Sequence, residues 1–170
     1  SPERQVVQVV QRALRECEGD LLVFLPGAGE IRRVQGMIDA QALAVRVLPL
    51  YGELGGDEQT AAIEPGSGGE RRVVLATNIA ETSLTIPGIR IVVDAGLVRR
   101  SCFDPVTGMS RLETQRISRA SADQRRGRAG RTAAGVCFRL WSEGSERSLA
   151  AYSLPEIADA DLAPLALDLA

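Results

Sequence analysis

The sequence predicts an α/β domain, a parallel sheet with helices on both faces and one projecting β-hairpin. Three observations predict it. Short runs rich in β-branched residues, such as "RRVVLA" and "IRIVVDAG", are too apolar to be half-exposed, as expected of strands covered on both faces. Between them lie segments whose apolar residues recur at helical spacing. Near residue 97 this alternation stops, and "FDPVTGMSRLETQRIS" brings an Asp-Pro and a Thr-Gly between two stretches of mixed polarity.

The elements follow in order. Val6, Val9, Val10, Ala13 and Leu14 share one face of a helix over 3–17, and "GDLLVFLPG" is a buried strand closed by a breaker. Ile31, Val34 and Ile38 mark a second helix, "LAVRVLPLYG" a second strand, and 57–63 a short helix. The Gly-rich "EPGSGGE" is a loop before the strand "RRVVLA". A brief helical turn, "NIAETS", leads to the strand "IRIVVDAG" and then to the hairpin over 97–118. Ser121 is positioned to cap a helix running to about residue 134, with Gly135 ending it before the strand "VCFRLW". The tail "LPEIADADLAPLALDLA" is apolar at helical spacing and reads as the start of something else.

A chain of 170 residues suffices for one domain that buries about two-thirds of its unfolded surface. Its three cysteines, Cys17, Cys102 and Cys137, lack CxxC spacing and suggest neither a disulfide framework nor a zinc site. With no signal-peptide pattern and no apolar run near the roughly 20 residues of a membrane span, a reduced, cytoplasmic setting is expected. All twenty basic residues are arginine, and histidine is absent. A P-loop needs a lysine, and general-base catalysis most often uses histidine, so a self-contained catalyst of either kind is disfavoured. Chemistry here is expected to be shared with another domain.

Charge is uneven along the chain. Residues 71 to 131 carry twelve arginines against five acids, enough to face phosphate or simply to be a solvated surface. The densest part is "ASADQRRGRAGRTAAG". On a helix Gln124, Arg128 and Arg131 stand at i, i+4 and i+7 and share a face, while Arg125 and Arg126 splay away. Two guanidiniums and an amide suit an anion, although an exposed basic helix explains the charges equally well. A second polar cluster, Thr77, Asn78, Glu81, Thr82 and Ser83, follows the strand "RRVVLA", where open α/β sheets gather ligands. An N-cap alone accounts for only one of these residues.

In this order the stretches "LLVFLPGAGEI", "LPLYGELGGDEQ", "LATNIAETSLTI" and "QRRGRAGR" resemble motifs IV, IVa, V and VI of the second RecA-like domain of the DEAH-box helicases of superfamily 2. The resemblance spans nearly the whole chain and is greatest to a bacterial branch. It implies a RecA-like fold for residues 1–152, with 153–170 opening a helical, winged-helix-like domain or a linker. It implies an NTP-dependent helicase in the full-length protein, with single-stranded nucleic acid, RNA in expectation, as its track.

Residue roles follow from the same resemblance. Arg128 and Arg131 would be arginine fingers toward the ATP phosphates, with Gln124 near the γ-phosphate and attacking water, an electrostatic task in phosphoryl transfer. Arg125 would support interdomain contacts beside the nucleotide. Arg126 falls at a variable position and would be solvated. Ser83 would sense the nucleotide, Thr85 would lie near its ribose and Ile63 near its base. Pro26, Gly27, Thr77 and Asn78 would hold the strand's phosphates, and the hairpin arginines Arg99, Arg100 and Arg111 would contact a displaced or loading strand. ATP or another NTP and Mg²⁺ would be held mainly by a first RecA-like domain, and no membrane is involved. A sequence without lysine cannot contain the Walker A string, so the isolated chain is expected to be inactive.

Two departures from the family matter. Ile63 stands where many members carry an aromatic, and it offers a base no π face. Pro87 replaces a common acidic residue that contacts ribose. Weak discrimination among nucleotides is therefore expected. Competing readings are a DNA translocase of the same superfamily, a nucleotide-independent nucleic-acid-binding module, and a regulator with a dead motor.

Overall fold

A computed structural model describes residues 1–66, 68–130 and 134–153. Its centre is a five-stranded parallel sheet formed by β1 (Asp20–Phe24), β2 (Val45–Leu50), β3 (Arg71–Ala76), β4 (Ile89–Asp94) and β7 (Val136–Arg139), in the order β2-β3-β1-β4-β7. Antiparallel β5 (Leu97–Asp104) and β6 (Met109–Arg116) form the expected hairpin outside that sheet. The α/β reading and its hairpin are borne out.

Helices α1 (Pro2–Glu16) and α2 (Ala28–Asp39) cover one sheet face, where Val6, Val10, Ile31 and Val34 meet Leu21, Val23, Val73, Leu75, Ile91 and Val93. The other face carries shorter elements: α3 (Gly56–Ile63), α4 (Ile79–Thr82) and α5 (Arg119–Arg126). There Ala62, Ala80, Ile86 and Ala129 pack on Leu22, Phe24, Val74, Ala76 and Val92. Strand parity explains the division, since alternate residues of β1 and β3 point to opposite faces. The single large interruption is at the start of β4, where Asp20 pairs with Ile89 but Leu21 with Ile91, leaving Arg90 as a bulge.

The arginine-rich helix is shorter than the sequence suggested. Ser118, not Ser121, is its N-cap, and the Ser118 hydroxyl accepts from the Ser121 amide at 3.1 Å. The helix stops at Arg126 with Gly127 as C-cap, and Gly130 takes φ +77 before its amide donates to the Ile89 carbonyl. A glycine near each break is what ends it, because each would weaken a helix interior by about 1 kcal/mol. Gly135 therefore does not terminate this helix, and α6 (Glu143–Arg147), unforeseen from the sequence, follows β7.

Cys137 on β7 lies partly buried near Asp94, and burial first, then that carboxylate, pushes its thiol from 9.0 up to about 11. The thiol keeps its proton in the folded chain after the unfolded chain has lost it. Its contribution to stability is full below pH 9 and lost as pH rises toward 11. The urea midpoint is expected to fall across that window, and Cys137→Ala should flatten the fall; an equal slope in the variant would show another group to be responsible.

Candidate functional site

Three adjacent strands, β3, β1 and β4, deliver the residues expected at the track. Phe24 is in register with Ala76 on one side and Asp94 on the other. The segments that follow are thereby brought together at the carboxyl edge: Thr77 and Asn78 after β3, Pro26 and Gly27 after β1, the hairpin after β4. Pro26 and Gly27 are buried, Thr77 is half-buried and Asn78 is exposed. Gly27 is the N-cap of α2, and a side chain there would come within 2.8 Å of the Arg99 guanidinium. With a side chain at 27 the end of the Arg99 side chain would have to shift from its place beside the helix start.

Arg99 is thus engaged within the domain. Its Nη2 donates to Glu30 Oε1 at 3.1 Å, tying the hairpin to the first turn of α2, while about a third of the side chain stays exposed. Arg111, on the opposite strand, pairs with Glu113 at 2.6 Å and is mostly exposed. Arg100 is half-buried beside a polar hollow lined by Gln115, Arg116, Ser118 and Tyr152.

The second cluster lies over the sheet face that α3, α4 and α5 cover. Arg128 sits beyond the end of α5, so it does not share the expected helical face with Gln124. Its Nε donates to the Glu81 carbonyl at 2.6 Å and its Nη1 to the Leu84 carbonyl at 3.2 Å. Those carbonyls belong to the last turn of α4 and the connection after it, where a guanidinium satisfies acceptors that the helix leaves open. Thr85, Ile86 and Ile89 line the small hollow beside Arg128. Ser83 and Thr85 are exposed in the same connection, and Gln124 is exposed on α5. Arg131 lies outside the described residues. Ile63, at the end of α3, is half-buried and packs on the core of this face.

Arg125 departs most from expectation. It is fully buried, donating from Nε to Glu81 Oε2 at 3.0 Å and from Nη1 to Asp94 Oδ1 at 2.9 Å. Both Nη groups reach the Leu97 carbonyl at 3.3 Å, and the guanidinium lies 4.8 Å from the centre of the Phe24 ring. Ser121 Oγ donates to the same Glu81 oxygen at 2.6 Å. With no exposed surface, Arg125 serves contacts inside this domain rather than interdomain ones. Burial pushes the Asp94 carboxyl above its ordinary value, opposed by the Arg125 charge and by the Gly96 amide that donates to it at 2.8 Å. Arg126, as expected, is exposed, 3.7 Å from Asp123.

The arginine-rich segment is therefore neither a continuous phosphate-facing surface nor a solvated one. Arg72 is also fully buried, and Arg71 donates to the Gly19 and Leu14 carbonyls. Sequence reading passed over Arg72, Asp20 and Asp94 as site-forming residues. One signal was present: Arg72 shares the parity of Val74 and Ala76 and so had to point into the same packed face. Among the described residues no group of acidic, cysteine or histidine side chains is arranged to hold a metal, and no helix is long and apolar enough to cross a membrane.

A family model described as "Helicase conserved C-terminal domain" matches residues 4–133. The ATP-dependent RNA helicase HrpB of Escherichia coli is 51% identical over 157 residues, covering 92% of this chain and 19% of that protein. The pre-mRNA-splicing factor ATP-dependent RNA helicase prp22 of Schizosaccharomyces pombe is 45% identical over 160 residues, covering 89% of this chain and 14% of that protein. A crystal structure of the Escherichia coli DEAH/RHA helicase HrpB matches with a TM-score of 0.93 at 48% identity, over 98% of this chain and 22% of that one. This chain thus spans about a fifth of the length of the bacterial relative.

Proposed function

The chain belongs to the helicase conserved C-terminal domain family, in its DEAH-box group, and from that premise we propose that it is one half of an NTP-driven motor acting on single-stranded RNA. The observation that carries the reading is the seating of Arg128 on the connection that bears Ser83 and Thr85. This draws residues from two distant motifs to one side of the sheet, while Pro26, Gly27, Thr77 and Asn78 stand together at its carboxyl edge. Nucleotide binds between this domain and a first RecA-like domain, which supplies the Walker A lysine, the Mg²⁺ site and the catalytic carboxylate. Arg128 and Arg131 act there as fingers, with Gln124 at the γ-phosphate.

Closing and opening of that cleft shifts the strand contacts made by the loops after β1 and β3. Contacts of this kind go to phosphate and sugar, so binding is independent of sequence and weakens with salt. Residues 1–152 form the motor domain of a cytoplasmic parent; residues 154–170, nearly all of the stretch expected to open a helical domain or linker, lie outside the described residues. RNA is favoured over DNA as track because the relatives named above are RNA helicases.

One experiment tests the division of labour. The full-length protein is assayed for RNA-stimulated hydrolysis of ATP, GTP, CTP and UTP beside the isolated 170-residue chain. Turnover is expected in the former alone, with less than about 100-fold preference among bases, since Ile63 offers packing but no stacking face. Turnover by a pure sample of the chain would overturn the shared site, and a larger preference for ATP would overturn the assignment of Ile63 and Pro87.

A further inference from the structure

Arg72 lies on β3 with its side chain on the face that α3 and α4 cover, and it is wholly buried. Its backbone amide and Nε both donate to Asp20, at 2.8 Å each, which fixes the guanidinium at the start of β1. Nη1 faces three successive carbonyls at the end of α3, those of Ala62 and Ile63 at 3.1 Å and of Glu64 at 2.9 Å. Nη2 donates to the Pro87 carbonyl. Helix ends leave such carbonyls open, and a cation there is favoured by the helix dipole.

Two elements far apart in sequence are thus gripped by one planar group. The end of α3 carries Ile63, and the connection before β4 carries Thr85 and Pro87, whose carbonyl the guanidinium holds. The same connection is gripped again at Leu84 by Arg128. Arg72 is fully enclosed and has no route to a ligand, so whatever it does for one, it does by holding others.

We infer that Arg72 is a specificity-positioning residue, setting the spacing between Ile63 on one side and Thr85 and Pro87 on the other, and so the fit of a nucleoside moiety in the interdomain cleft. The inference rests on the function proposed above. A lysine cannot replace the fork, because one ammonium cannot reach Asp20, the α3 carbonyls and Pro87 in fixed directions at once. Loosening this grip changes recognition of base and ribose, while the phosphates, met by other residues, are held as before.

The test uses the full-length protein at fixed free Mg²⁺, with ADP and inorganic pyrophosphate as competitive inhibitors of NTP hydrolysis. In Arg72→Lys the ADP inhibition constant is expected to rise about tenfold relative to that of pyrophosphate, the loss of roughly one charged hydrogen bond's worth of positioning. Asp20→Asn, which loosens the anchor and keeps the arginine, is expected to move the ratio in the same direction by less, and it carries the test should Arg72→Lys not fold. An unchanged ratio in a folded variant would overturn the inference, since simple destabilisation affects both inhibitors alike. Arg128→Ala run in parallel separates the two failures: retained turnover there removes the underlying nucleotide reading, whereas lost turnover with an unchanged ratio removes only the role of Arg72.

Discussion

In the full-length parent, Arg128→Ala is expected to lower RNA-stimulated NTP hydrolysis by about 10³-fold or more, the usual loss when an arginine that stabilises transferring phosphoryl charge is removed. The loss is expected in kcat rather than KM, because the charge it meets is greatest in the transition state, and single-turnover measurements should place it in the chemical step. RNA affinity without nucleotide is expected to stay within about threefold, since Arg128 is seated on Glu81 and Leu84, further along the connection after β3 than Thr77 and Asn78. Arg128→Lys is not expected to restore turnover, as an ammonium lacks the fork that spans two acceptors. The docking of Arg128 on the Glu81 and Leu84 carbonyls gives this experiment a second edge. Turnover within tenfold of the parent, or a collapse of RNA binding alone, would reassign Arg128 as a brace for the α4 connection.

The second large effect is on stability. Replacing Arg125 by Met leaves Asp94 fully buried and Glu81 partly buried, each without this cation. Removing one partner of a buried ion pair costs about 3–5 kcal/mol, a large share of the roughly 5–15 kcal/mol that holds a domain of this kind. Urea unfolding of Arg125→Met is expected to show that loss. Adding Asp94→Leu is expected to recover about 1 kcal/mol or more, because the orphaned carboxylate goes with it. The sign of the pH response follows from Asp94, whose carboxyl burial already pushes above 3.8. Without Arg125 it rises further, and a group raised in the folded state adds stability on the acid side and loses it as pH climbs. The deficit of Arg125→Met is therefore smaller at pH 5 than at pH 8. An equal deficit at both values would mean that Asp94 is not what the arginine neutralises.

Much of the fold was legible because strand parity and helical spacing are local. Val73 and Leu75, or Ile31 and Val34, announce their faces within a few residues. What escaped was the use of charge. The pair Arg72 and Asp20 is separated by 52 positions and the pair Arg125 and Asp94 by 31, and no window of sequence links them. A row of arginines consequently read as one surface, when among the described residues Arg72 and Arg125 are enclosed and others cap carbonyls. The helix limits escaped for a related reason. Ser118 and Ser121 are equally good caps by residue type, and the hydrogen bond between them decides which is outermost. Gly127, which the sequence reading left inside a helix running to about residue 134, is instead its C-cap and stops it before Arg128.

The hairpin has a mechanical consequence. Its contacts with the body are concentrated at the root, where Val98 and Ile117 pack on Ala122 and Arg99 holds Glu30, while Val106 and Met109 near the tip are exposed. Eight residues of strand at about 3.4 Å each make an arm of about 27 Å, so a turn of about 10° at the root sweeps the tip through about 5 Å. The root carbonyl of Leu97 is held by Arg125, three residues from Arg128. A displacement of α5 too small to disturb the core would thus be geared up, along the ribbon, into travel on the scale of a side chain.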